Sequence, residues 1–189
     1  MRLIPLAQIF VLTFSLCFLS VAASAQSRDH LTPQEVELIQ ESQVLDQRTD
    51  IFIKAIERRL SVVSGTQPVV TKESKKDAEK WGELPKGSRA ELIGDIARIL
   101  EEAITNIDDV SYHDEKNPLL AKSLRKLDAT ASMLLTQLGP IAEQAKSAEE
   151  QSSLNQALEN AQQVIEAAKK LPPPSEAEKA KGKTKKAKG

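Results

Sequence analysis

The stretch Leu31–Gly65 constrains this chain more than any other. It opens on Thr32, Pro33 and Glu35, which have the order of an N-cap, a first helical residue with no need of its N–H, and the reciprocal partner of a capping box. On a wheel of about 100° per residue, Leu38, Leu45, Phe52, Ile56, Leu60 and Val63 share one face. Val44, Ile51, Ala55 and Val62 form a second stripe beside it, and Gln40, Gln43, Gln47, Asp50, Lys54 and Ser61 point away. Gly65 fits the residue after a helix C-cap. The pattern predicts one long amphipathic helix with two apolar stripes, and so contact with two neighbours inside a bundle.

The remainder repeats the theme. Ser88 and Glu91 form another capping box, followed by Ile93, Ile96, Ala97, Leu100, Ile104 and Ile107 on a main face. Leu92, Ile99, Ala103 and Val110 make its side stripe. Asn117 and Pro118 start a third helix, whose Leu120, Leu124, Leu127, Ala131, Leu134, Leu135 and Leu138 align. Gly139-Pro140 is expected to end or sharply kink it. A fourth helix then reaches Leu171, restarted at Ser147 with Glu150 or at Ser152, with Leu154, Leu158, Ala161, Ile165 and Ala168 on one face. Its alanines allow a neighbour to come close. The fold class read from this is all-α: an antiparallel helical bundle of about four helices, the first long, with coiled-coil-like seams.

Three segments flank or interrupt that body. Arg2, the apolar run Leu3–Val21 and Ala23-Ser24-Ala25 predict a signal peptide over residues 1–25, cleaved before Gln26, and hence a periplasmic or extracellular protein. Cys17 follows Leu16 rather than a small residue, which argues against a lipid attachment site. Residues 65–87, punctuated by Gly65, Pro68, Gly82, Pro85 and Gly87, form a long first connection with room for a short helix from Thr71 or Ser74 to Trp81. Residues 172–189 begin with three prolines and continue in Lys, Ala, Gly and Glu, a composition that buries no apolar face and predicts a disordered tail. The helical domain is thus expected over 26–171.

Composition narrows the function classes. After cleavage no cysteine remains, so no disulfide staples the body and no thiol serves as nucleophile. The aromatic set shrinks to Phe52, Trp81 and Tyr112, which favours helices over a sheet. There is no G-x-S-x-G elbow, no phosphate-cradling glycine loop, no C-x-x-C-H haem attachment and no Glu-x-x-His pair of a di-iron bundle. Met133 is the one methionine left as an axial ligand. Neither cofactor nor enzymatic activity is expected. Carboxylate pairs such as Glu101-Glu102 and Glu149-Glu150 belong to a solvated face, because adjacent helical residues do not converge.

The candidate sites are few. Asp109 and His113 lie four apart, followed by Asp114, so the acidic turn 108–115 is the candidate metal or small-molecule site. An isolated imidazole on an acidic turn is more commonly just solvated, since zinc sites need three or four held ligands. Trp81 is either a plug at one end of the bundle or an exposed anchor; with Val44, Ile51 and Val62 it makes the candidate partner-binding set. Arg58-Arg59 beside the main stripe fits ion pairs flanking a bundle seam, with anion binding as the sharper reading. Charge is also uneven. Residues 26–168 carry 17 Lys and Arg against 25 Asp and Glu, whereas 169–189 carry 8 Lys and 2 Glu. Lys179, Lys181, Lys183, Lys185, Lys186 and Lys188 are candidates for contact with an anionic envelope surface. Without arginines or aromatics in the tail, sequence-specific nucleic-acid recognition is not expected.

From these features the expected function is that of an exported, non-catalytic helical protein with a protein partner or self-association, or an envelope-surface contact. The alternative is a bundle that binds a small molecule or divalent metal at the acidic turn.

Overall fold

The computed structural model describes residues 29–66 and 78–173, and all its regular structure is helical. Five helices carry the fold: α1 Pro33–Glu41, α2 Leu45–Val63, α3 Arg89–His113, α4 Pro118–Ala142 and α5 Ala148–Ala168. A single helical turn at 78–81 precedes α3. The predicted signal segment 1–25 lies outside the described residues, as do the Thr71 and Ser74 caps and the lysines of the tail.

The helix starts follow from local chemistry. Thr32 Oγ1 accepts from the Glu35 N–H at 3.2 Å, and Glu35 Oε2 accepts from the Thr32 N–H at 2.9 Å. Ser88 and Glu91 repeat the box. Asn117 caps α4 through Leu119, and Ser147 caps α5 through Glu150. Each cap satisfies a donor that the first turn leaves without an intrahelical acceptor. Gly65 adopts φ +68° after the α2 C-cap, a conformation that costs glycine little.

Three expectations need correction. The long first helix is two helices, because Ser42-Gln43-Val44 leaves the helical conformation: Ser42 sits at φ −88°, ψ 104° and Val44 at φ −94°, ψ 123°. The reason lies in tertiary pairing. Glu35 meets Arg58 and Arg59, residues that a straight helix would hold about 36 Å away at about 1.5 Å per residue. Gly139-Pro140 does not end α4, which runs through Pro140 to Ala142. The proline falls in the final turn, where few further hydrogen bonds depend on it.

The third correction concerns direction. α3 packs mainly on α5 and α2, and α4 on α5 and α2, while α3 and α4 touch little. Arg89 meets Glu150, Gly94 faces Ser153, and Asn160 donates to the Ala97 carbonyl at 3.1 Å. These numbers rise together, so α3 and α5 are parallel. Lys122 with Asp46 and Lys126 with Asp50 make α2 and α4 parallel by the same logic. Successive helices still alternate, as the Arg125 bond to the Pro172 carbonyl shows for α4 and α5. The packed neighbours are therefore not all antiparallel. Small residues permit this: a Cβ on Gly94 would stand 3.3 Å from Ser153 Oγ, and Ala97, Ala157 and Ala161 are fully buried. The core joins Phe52, Ile56 and Leu60 to Ile93, Ile96 and Leu100, and to Leu127, Leu134, Leu138 and Leu154.

Candidate functional site

The most unusual feature of the interior is a set of charges at its α1–α2–α3 junction. Glu35 and Asp95 are 0% exposed, Arg59 1% and Arg58 8%. Ions buried this deeply persist only when paired and hydrogen-bonded. Arg59 spans the group. Its Nη1 donates to Glu35 Oε1 at 3.0 Å and to the Ala55 carbonyl at 2.8 Å. Its Nη2 donates to Glu35 Oε2 at 2.7 Å and to the His30 carbonyl at 2.5 Å. The planar guanidinium thus grips the carboxylate with two parallel bonds. On its far side Asp95 Oδ2 stands 3.7 Å from Arg59 Nε, and Asp95 Oδ1 takes a 2.7 Å bond from Arg98.

Arg58 extends the network outward. Its Nε lies 3.2 Å from Glu35 Oε1, and its Nη2 donates to the Glu83 carbonyl. Its guanidinium carbon sits 5.7 Å from the Trp81 ring centroid, with Lys80 Nζ at 6.0 Å. At the rim, His30 Nε2 is 2.9 Å from Glu102 Oε2. The network ties the residues before α1, α1 itself, α2, the 81–83 turn and α3 into one knot. Glu35 does double duty, closing the α1 capping box and receiving Arg59. With the Glu35 acceptors and the Arg59 Nη donors turned toward one another, the arrangement docks α1 on α2.

Sequence reasoning placed Arg59 at a stripe edge, read Glu35 only as a capping-box partner and missed Asp95. A signal was present. Asp95 fills the gap between Leu92 and Ile99, Arg59 continues Phe52–Ala55, and Glu35 lies between Leu31 and Leu38. Each carboxylate or guanidinium stands at a core position of its helix, and such positions admit charge only when a partner faces it.

The sequence-derived candidates fall elsewhere and apart from one another. Asp109 and His113 share the last turns of α3, with side chains 68% exposed and His113 Nδ1 3.6 Å from Asp109 Oδ1. That ring nitrogen also lies 2.8 Å from the Asp109 carbonyl, where it fits the negative end of the helix. Asp114 is the C-cap and donates its N–H to the Val110 carbonyl. Among the described residues, no group of three His, Cys, Asp or Glu side chains could hold a metal ion. Asp108 borders a separate groove of about 200 Å³ between α3, α4 and α5.

Of the partner-binding set, Val44 and Val62 are exposed, Ile51 is half-buried and Ala55 is buried, so the second stripe is covered only at its middle. Val44 lies outside α2 as its N-cap. Trp81 is buried beneath Arg58, not exposed. Leu84, which the sequence did not single out, joins Val62 along a groove of about 300 Å³. Among the described residues no helix is long and apolar enough to cross a membrane.

Where the Asp46 pair joins α2 to α4, burial raises its carboxyl, but hydrogen bonds and charge from Lys122 and Lys126 outweigh this and hold it below 3.8. Burial lowers the Lys126 amine, and the hydrogen bonds and charges of Asp46 and Asp50 outweigh it, so Lys126 titrates above 10.5.

No protein-family model, curated protein or solved structure matches this chain.

Proposed function

We propose that this chain is an exported, non-catalytic helical protein whose helices α2–α5 close into a four-helix bundle and which acts by contact with a protein partner or an envelope surface. The observation that carries the reading is the groove between the end of α2 and residues 83–86. Val62, 37% exposed, and Leu84, 38% exposed, line it together with Pro85. Single exposed apolar residues are ordinary, but two side by side on a concave surface fit a partner's apolar side chain. The internal pairing of the buried charges supports the non-catalytic part, because their polar atoms are directed at one another. Secretion rests on the N-terminal sequence pattern, and contact with an anionic surface rests on the lysines from Lys179 to Lys188.

A crosslinking pull-down from the native cell envelope tests the reading. Val62→Asp and Leu84→Asp should each abolish capture of a partner that the wild-type protein retains. Equal capture by both variants would exclude the groove.

The groove at Asp108 favours a second reading, binding of a small cationic or amphipathic molecule. Ile104, Ile107, Leu124 and Val164 supply apolar walls there, and Asp108 supplies a carboxylate. Native mass spectrometry should then find a bound mass that Asp108→Asn removes.

A further inference from the structure

We infer that His30–Glu41 is an exchangeable arm, and that two copies of this chain form a dimer by swapping it. The inference does not depend on the Val62–Leu84 groove. It starts from a conflict between sequence and fold. Ser42, Gln43 and Val44 contain neither glycine nor proline, and Leu38 and Leu45 stand seven apart across the break, so the apolar register runs through it without a shift. Helical sequence lies on both sides. The chain nevertheless leaves the helix for three residues, and Ser42 Oγ is buried there without a hydrogen-bond partner. Arg48 Nε bonds the Ser42 carbonyl at 3.0 Å and steadies the bend.

What holds the bend closed is the contact of α1 with the body. Glu35 binds Arg58 and Arg59, the His30 carbonyl binds Arg59, His30 meets Glu102, and Leu31 is buried in the core. If residues 42–44 become helical, α1 and α2 join into one helix of about 46 Å, at about 1.5 Å per residue. Glu35 is then about 36 Å from its own Arg59 by the same rise. That strips Arg59 of each body of its Glu35 and His30 partners and opens the core site of Leu31 to water. A second copy resolves it. Its His30–Glu41 segment carries the same His30, Leu31 and Glu35 and re-forms these docking contacts in trans. Exchange of an identical element in this way is a low-cost route to a two-fold dimer, with hinge residues setting the balance. The dimer keeps the docking contacts of the monomer and gains helical hydrogen bonds across 42–44. Association entropy opposes it, so the balance is set by concentration.

The test uses two hinge variants in a Cys17→Ser background that also carries His30→Cys and Glu102→Cys. Val44→Pro fits the bent form after a φ change of about 30°, since Val44 is exposed and extended at φ −94°. It blocks the straight form, because a proline inside a helix clashes with the preceding turn. Ser42→Ala/Gln43→Ala/Val44→Ala favours the straight form through helix propensity. Light scattering after gel filtration and a short bismaleimide crosslinker are read together. The alanine variant should show at least tenfold more dimer than Val44→Pro at equal concentration, with links between chains. Val44→Pro should be monomeric, with links within one chain. The inference is overturned if the alanine variant stays monomeric up to millimolar concentration, if its dimer carries links only within chains, or if Val44→Pro dimerises as readily.

Discussion

Arg59→Met is the sharpest probe of how α1 is held. Methionine keeps much of the length and volume of the side chain but removes the charge and the donors. Four hydrogen bonds go with it: two to Glu35, one to the Ala55 carbonyl and one to the His30 carbonyl. Glu35, fully buried, keeps Arg58 at 3.2 Å, and Asp95 keeps Arg98 at 2.7 Å. Removing one partner of a buried pair costs about 3–5 kcal/mol, because the remaining charge loses compensation without regaining water. For a chain of this size about 2–4 °C is lost per kcal/mol, so the melting temperature should fall by roughly 6–20 °C. Urea unfolding followed by circular dichroism gives the free energy, and amide exchange should show α1 loosening first. Glu35→Gln retains the capping box while removing the same charge pair from the other side. The double variant should therefore cost less than the two single losses together, with a coupling of at least about 1 kcal/mol. If Arg59→Met costs under about 1 kcal/mol and the two changes add, the argument that ion pairing docks α1 fails.

Four further outcomes follow from other parts of the molecule. Asp46 titrates below its unfolded value, so its stabilising contribution is complete above that value and is lost as pH falls through the folded one; Asp46→Asn should flatten the acid limb of stability below about pH 4. Lys126 has the opposite sign: its contribution is complete below the unfolded amine value and is lost as pH rises through the folded one, so Lys126→Gln should flatten the alkaline limb above about pH 10.4. Both effects should stay below about 1 kcal/mol, since solvent screens the exposed side of this cluster, and urea melts across pH measure them. Gly94→Val should cost about 1–3 kcal/mol in a thermal melt, because its branched carbons push Ser153 and α5 away from α3. Deletion of residues 175–189 should leave the helical circular dichroism unchanged while weakening binding to anionic vesicles and reducing its salt sensitivity; equal binding at low salt would refute a role for the tail.

Much of the local structure was legible. Thr32 with Glu35, Ser88 with Glu91, Asn117 before Pro118 and Ser147 with Glu150 announced the helix starts, because a cap depends on residues three or four positions apart. The main faces were also readable, since burial follows the helical period: Phe52, Ile56, Leu60, Ile93, Ile96, Leu100, Leu127, Leu134 and Leu138 are all in the core. The candidate charge network was half-visible. Charged residues stood at stripe positions, yet nothing local says which opposite charge faces them from another helix.

The sequence by itself determined most of where the chain is helical, the main inward faces, and where most helices begin, because each of these is settled within one or two turns by hydrogen bonding and periodic burial. Tertiary structure alone decided that Ser42–Val44 is bent, that α3 lies parallel to α5, and that Glu35, Arg59 and Asp95 share one buried cluster. The physical reason is common to all three. A bend without glycine or proline is stable only through the contacts it permits, and those contacts join residues that are tens of positions apart.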